Sequence, residues 1–221
     1  SVKRLIYAAS SSCYGPTSQV PTSKSAPLRP MYPYALSKLM AEEMVFHWVN
    51  LYKLNSLSLR LFNVFGPRAR TSGNYGAVLG VFFAQKLAGI PMTIVGDGTQ
   101  SRDFVYVDDV VDAFISAGES DESGYPINIG AGKPIQVKKV AELIGGATTN
   151  IPYRPGEPDV THADIRLASE KLGWKPKTDF EIGIHKTMSN LEAWKDAPIW
   201  TPESIAIATK EWFRYLSTSE S

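Results

Sequence analysis

Apolar positions open the chain in a run, Val2 to Ala8 (VKRLIYA), that reads as a strand. Helical periodicity follows from about Pro33 to Leu54, with Pro33 suited to a first turn, and then alternation at Ser56 to Phe62 (SLSLRLF) reads as a second strand. Strand, helix, strand is the signature of a parallel sheet. A loop rich in Gly, Pro and Arg leads to Asn74, a candidate cap for a helix over Tyr75 to Leu87, and Ile90 to Val95 reads as a strand closed by Gly96-Asp97-Gly98. The alternation continues with a short strand at Phe104 to Val107, a helix to about Ala117 capped by Asp108 and Asp109, a strand at Ile127 to Ile129, and a helix from Val137 to Ile144 ended by Gly145-Gly146. The last third is broken by Pro152, Pro155 and Pro158; short helices are expected at about Arg166 to Leu172 and Glu181 to Trp194. A closing helix runs to Leu216, with Thr201 as cap and Pro202 in its first turn.

Composition narrows the function. The 221 residues are 43% apolar, and 23 basic against 22 acidic side chains leave a net charge of +1, which argues against disorder and supplies no electrostatic footprint for a nucleic acid or an anionic membrane. The longest apolar run, Tyr75 to Ala84, is ten residues, about half of the roughly 20 that span a bilayer, so a soluble protein is expected. Cys13 is the only cysteine, so no intrachain disulfide can form, which suits a reducing cytoplasm. Three His at unrelated spacings give no metal-binding pattern, and no metal is expected.

The candidate chemistry begins with Tyr34 and Lys38, a Tyr-x-x-x-Lys pair on one side of a helix near its start. An ammonium beside a phenol stabilises phenolate and makes a base usable near neutral pH. Chance alone supplies such a pair about as often as not, so its context decides. Ser10-Ser11-Ser12 stands where the first strand runs out, and the carboxyl ends of parallel strands are where α/β sheets place their ligands. A serine hydroxyl there can bond the same substrate oxygen that the Tyr addresses from the next helix.

With these residues the sequence resembles the extended short-chain dehydrogenase/reductase family, specifically its nucleotide-sugar epimerases and dehydratases. The resemblance is carried by Ala8 to Gly15 (AASSSCYG), Tyr32 to Lys38 (YPYALSK), Arg60 to Gly66 (RLFNVFG), Gly96 to Asp109 (GDGTQSRDFVYVDD), Ile127 to Gly132 (INIGAG) and Arg154 to Asp164 (RPGEPDVTHAD), which follow in the family's order. It implies an α/β chain: the C-terminal part of a Rossmann-type parallel sheet, at residues 1–63 and about 103–130, interleaved with a smaller substrate-binding lobe at about 64–102 and 131–221. It implies NAD as cofactor, Tyr34 as base, Lys38 on the nicotinamide ribose, and Ser10 or Ser11 on the sugar hydroxyl. Asn63 is expected to contact the nucleotide sugar, Arg102 and Arg154 the diphosphate, and Glu157 the nucleotide ribose. Guanidinium forks suit phosphate oxygens, although Arg102 could instead pair with Asp103 or Asp109.

The family's Gly-x-x-Gly-x-x-Gly fingerprint is not found: Gly73, Gly76 and Gly80 have the wrong spacing, and Gly130-Ala131-Gly132 is followed by Ile135. Adenine and pyrophosphate binding, and with them roughly a hundred or more residues of the Rossmann half, are expected ahead of this chain, which alone would be inactive. The leading expectation is a 4-epimerase of a UDP-hexose or UDP-N-acetylhexosamine. Related 4,6-dehydratases and decarboxylases carry an additional acid after the catalytic Ser or Thr, where this chain has Ser11-Ser12-Cys13; a non-catalytic assembly module is the reading from another class. Thr161 falls where related epimerases vary side-chain size beside the sugar's 2-substituent, a small residue going with tolerance of an N-acetyl group. A homodimer is expected through the helix of Tyr34, whose Leu39, Met40, Met44, Phe46, Trp48, Val49, Leu51 and Tyr52 are apolar over too wide an arc for one buried face, paired with Val78, Val81 and Phe82 of the helix at 75 to 87.

Overall fold

A computed structural model describes residues 2–69 and 77–216. The first strand, β1 (Leu5–Ser10), runs into a 3₁₀ turn (Ser11–Tyr14); α1 (Pro33–Tyr52) starts at Pro33 as the pattern requires and stops at Lys53, which takes a left-handed conformation. Next come β2 (Ser56–Leu61), β3 (Asn63–Phe65), α2 (Val78–Leu87), β4 (Met92–Val95), β5 (Ser101–Tyr106) and α3 (Val107–Glu119). The remaining elements are β6 (Pro126–Ile129), β7 (Pro134–Gln136), α4 (Val137–Ile144), β8 (Thr148–Ile151), α5 (Arg166–Leu172), α6 (Phe180–Met188), a second 3₁₀ turn (Leu191–Trp194) and α7 (Pro202–Leu216).

The expected helices at 137–144, 166–172 and 202–216 are found at those residues. The proposed cap Asn74 lies outside the described residues. Asp108 and Asp109 are not the caps of α3: Tyr106 holds the N-cap position without a side-chain bond, and the two acids stand in the first turn. Asp109 is buried and accepts from the Thr178 amide at 3.0 Å, while its carbonyl takes the Trp174 indole at 2.8 Å. The helix expected over 181–194 ends at Met188 and resumes only as the 3₁₀ turn. Thr201 does cap α7, its Oγ1 accepting from the Ser204 amide at 3.3 Å while Ser204 Oγ accepts from the Thr201 amide at 2.9 Å.

The chain forms two compact units. The first comprises Ser1–Val64, Arg102–Pro134 and Val160–Asp179. Its sheet has the order β1-β2-β6, all parallel, so β2 is central and α1 is the crossover from β1 to β2. One face of β2 presents Leu57 and Leu59 to a core with Val105, Val110, Ile127 and Trp174. Residues 160–179, expected with the lobe, cluster here: Thr22 bridges Ala163, and Ala168 of α5 is buried in the same core. The second unit comprises Phe65–Ser101, Ile135–Asp159 and Phe180–Ser221, and in it β4 pairs in parallel with β8. Val95, Ile151 and Ile205 of α7 form one of its cores. Among the described residues no helix is long and apolar enough to cross a membrane.

Candidate active site

Ser10 is the last residue of β1, at the carboxyl end of the parallel sheet. Its backbone is still extended, and its hydroxyl caps the 3₁₀ turn by accepting from the Ser12 amide at 3.2 Å and from the Ser12 hydroxyl at 2.8 Å. An Oγ that already accepts twice has its own proton left to donate. Ser11 is half-buried inside the turn. Cys13, next in the turn, is buried, and that burial pushes its thiol up to about 11, so it is no acid or base near neutral pH.

Tyr34 occupies the first turn of α1, where its side chain is 53% exposed. One turn on, Lys38 Nζ donates to the Ala8 carbonyl at 3.0 Å and lies 5.9 Å from the centre of the Tyr34 ring. Tyr7 donates back to the Lys38 carbonyl at 3.3 Å. These two bonds dock the start of α1 onto β1 two or three residues before Ser10, so the Tyr, the Lys and the Ser are held on adjoining elements. An ammonium has three donors and Ala8 takes one, which leaves capacity for ribose hydroxyls. The donor set and the exposed phenol fit the nicotinamide-ribose end of a dinucleotide.

Behind this assembly is a buried polar cluster. Glu42, one further turn along α1 from Lys38, accepts from Ser58 Oγ at 2.5 Å and from Arg60 Nη2 at 2.5 Å, with Arg60 Nε 3.1 Å from both carboxylate oxygens. Arg60 Nη1 reaches the Tyr14 oxygen at 2.9 Å and the Lys24 carbonyl at 3.0 Å, and Tyr14 donates to Asn128 Oδ1 at 2.7 Å. Glu42, Ser58, Arg60, Tyr14 and Asn128 are all buried. Burial pushes the Tyr14 phenol up to about 12, against the pull of Arg60, so Tyr14 is a neutral structural group where Tyr34 is accessible. None of this cluster was singled out from the sequence. The alternation SLSLRLF did place Ser58 and Arg60 opposite Leu57 and Leu59, and Glu42 repeats the four-residue spacing of Tyr34 and Lys38; a polar face on a central strand was the available signal.

Asn63 and Thr161 are brought together: Thr161 Oγ1 donates to Asn63 Oδ1 at 3.3 Å and accepts from the Asp103 amide at 3.1 Å. The Asp103 carboxylate, fully buried, accepts from the amides of Ala131, Gly132 and Ala163 at 2.6 to 3.0 Å. Burial pushes this carboxyl up and the three amides pull it back. Gly130 is needed for the approach, since a Cβ there would stand 2.5 Å from that of Ala163. Arg102 is half-buried on β5; the carboxylate of Asp103 is engaged by amides and that of Asp109 by Thr178. In the second unit, Arg154 and Glu157 are paired with each other at 2.7 Å, so the expected diphosphate and ribose groups stand side by side. Among the described residues no group of three or more His, Cys, Asp or Glu could hold a metal ion.

Ser10, the accessible Tyr34 and Lys38 are gathered at the carboxyl end of a parallel strand, the position at which α/β sheets bind their ligands. The family model for the NAD dependent epimerases/dehydratases matches residues 1–130, and the chain belongs to that family. It is 36% identical over 194 residues to a UDP-glucose 4-epimerase of Mycolicibacterium smegmatis, a match covering 85% of this chain and 62% of the relative. A UDP-glucuronic acid decarboxylase of Xenopus tropicalis is 32% identical over 196 residues, covering 84% of this chain and 46% of that protein. Among solved structures, the UDP-N-acetylglucosamine 4-epimerase of Methanobrevibacter ruminantium, in complex with UDP-N-acetylmuramic acid, superposes with a TM-score of 0.82 at 34% identity over 87% of this chain and 64% of that one. The chain thus spans under two thirds of the length of these relatives.

Proposed function

We propose that the whole protein is an NAD-dependent 4-epimerase of UDP-hexoses or UDP-N-acetylhexosamines, and that the Ser10, Tyr34 and Lys38 assembly does its chemistry. The observation that carries this is Ser10 capping its own turn, with one proton free to donate, beside a helix whose exposed Tyr34 and docked Lys38 face the same strand end. Tyr34 takes the proton of the sugar 4-hydroxyl while Ser10 bonds the same oxygen; Lys38 holds ribose hydroxyls. NAD, its nicotinamide ribose held by the donors that Lys38 has left after Ala8, would supply reversible hydride transfer at C4 of the sugar, by which the 4-keto sugar forms and the opposite configuration is reached. Tyr34 gives its proton back in the return step, so protons and electrons balance over the cycle. By the family resemblance, Arg102 in the first unit and Arg154 in the second are each assigned to phosphate oxygens of the diphosphate, which suit a guanidinium fork, and Glu157 to the nucleotide ribose. The glycine-rich part of the cofactor site is proposed to lie outside these residues, and the chain by itself to be inactive.

Relatives of the family include a decarboxylase, and related decarboxylases and dehydratases are expected to carry an additional acid after the catalytic Ser or Thr. Ser11, Ser12 and the buried, high-pKa Cys13 supply none, which favours epimerisation.

The bond between Thr161 and Asn63 supports Thr161 as the residue beside the sugar's 2-substituent. A phenol ring in place of this small side chain would fill space on the order of an acetamido group. Thr161→Tyr is expected to lower kcat/KM for UDP-N-acetylglucosamine relative to UDP-glucose by roughly tenfold or more. Steady-state assays of both sugars decide; an unchanged ratio removes Thr161 as the size gate, and no interconversion of either sugar with its 4-epimer by the wild-type protein removes the functional reading.

We further propose a homodimer through α1. Leu36, Met40, Met44, Trp48, Leu51 and Tyr52 form an exposed apolar stripe along the helix, while Leu39 turns inward against the cluster of Cys13 and Phe62. The expected share of α2 is corrected: Val81 and Phe82 are buried, so they are not available as a docking face. Light scattering at micromolar concentration is expected to give twice the subunit mass, and Met44→Lys to give the subunit mass; a monomeric wild type rejects the dimer.

A further inference from the structure

We infer that Glu42, Arg60 and Tyr14 are positioning residues: one buried chain of charge-assisted bonds sets the turn that carries Ser10 against the helix that carries Tyr34 and Lys38. The inference rests on the proposed roles of those three residues, and its own support is geometric. Tyr34, Lys38 and Glu42 follow at four-residue intervals, so all three project from neighbouring parts of one helix face. The exposed end of that row is Tyr34 and the buried end is Glu42. Arg60 spends its Nε and Nη2 on Glu42 and its Nη1 on the Tyr14 oxygen, so a single guanidinium spans from α1 to the turn. Tyr14 is the last residue of the 3₁₀ turn that Ser10 caps.

The physical chemistry explains why a guanidinium is used here. A planar fork fixes the direction of every bond it makes, whereas apolar packing at the same place tolerates sliding of a helix over a strand. A buried ion pair is a poor source of stability, because the cost of removing two charges from water cancels most of the attraction. Its presence under the central strand, where the other face is Leu57 and Leu59, suits a demand for register between α1 and the Ser10 turn. Arg60 Nη1 also holds the Lys24 carbonyl, and Asn128 Nδ2 holds the Thr22 carbonyl at 2.9 Å, so the same network seats the loop between the turn and α1. Thr22 in turn accepts from the Asp164 amide at 3.0 Å and donates its own amide to the His162 carbonyl at 2.7 Å, which extends the register to the segment of Thr161.

The test uses the whole protein with two conservative variants. Tyr14→Phe deletes only the hydroxyl that links turn to guanidinium and keeps the ring in its apolar cluster with Cys13, Ala26 and Phe62; Glu42→Asp keeps the charge and withdraws the carboxylate by one methylene. In both, kcat for the UDP-sugar is expected to fall roughly 10- to 100-fold, as for a small displacement of reacting groups, with KM within about twofold of wild type. Amide hydrogen exchange at residues 11–15 is expected to quicken while that of α3, in the opposite core, stays as in wild type. Wild-type kcat in either folded variant, or unchanged exchange at 11–15, overturns the positioning role. Should the wild-type protein show no epimerase activity, the functional reading fails on its own, and the exchange measurement still decides whether the network holds the turn.

Discussion

Tyr34→Phe in the whole protein is expected to lower kcat by roughly 10²- to 10⁴-fold, the range that a positioned acid-base group contributes. The phenol is half exposed in the first turn of α1, so removing its hydroxyl disturbs no core packing. Lys38 keeps its bond to the Ala8 carbonyl, and cofactor content is therefore expected to stay at the wild-type level. The measurement is kcat with bound NAD quantified in the same preparation. Turnover at the wild-type rate would remove Tyr34 as the base, and loss of NAD in parallel with activity would move its role from proton transfer to cofactor binding.

The second large effect is on stability. Arg60→Met leaves the Glu42 carboxylate buried without its cation, a loss of about 3–5 kcal/mol for breaking a buried pair on one side. At roughly 2–4 °C per kcal/mol for a domain of this size, Tm should fall by about 10 °C. The double variant Glu42→Met with Arg60→Met removes both charges together, and most of that loss should return, because the desolvation penalty disappears along with the attraction. Ser58 and Tyr14, whose hydroxyls lose a partner, keep the recovery from being complete. Thermal unfolding of the two variants beside wild type checks the asymmetry. Equal losses in single and double variants would mean that packing of the long Arg side chain, and not its charge, is what the site requires.

The local signals were legible where side-chain chemistry acts within a few residues. Pro33 starts α1, Thr201 and Pro202 start α7, and Gly145 ends α4, each for reasons contained in the adjacent backbone. The alternation of β2 also showed which of its residues share a face. Signals failed where the deciding partner is remote. β8 is Thr-Thr-Asn-Ile, with no apolar alternation, and it is a strand because β4 pairs with it from residue 92 onward. Asp109 has the chemistry of a cap, yet its carboxylate is taken by the Thr178 amide, so its energy is recovered from a loop some seventy positions later in the chain.

The candidate site divides along the same line. Ser10 at the end of a strand, and Tyr34 with Lys38 one helical turn apart, are placed by element boundaries and by 3.6-residue periodicity, and both are properties of short stretches of sequence. The partnership of Glu42 with Arg60, of Arg60 with Tyr14, and of Thr161 with Asn63 depends on a strand crossover and on loops that bring distant residues within 3.3 Å. Those pairings arise because a buried polar atom must find a partner wherever the fold puts one, and only the folded chain determines which atom that is.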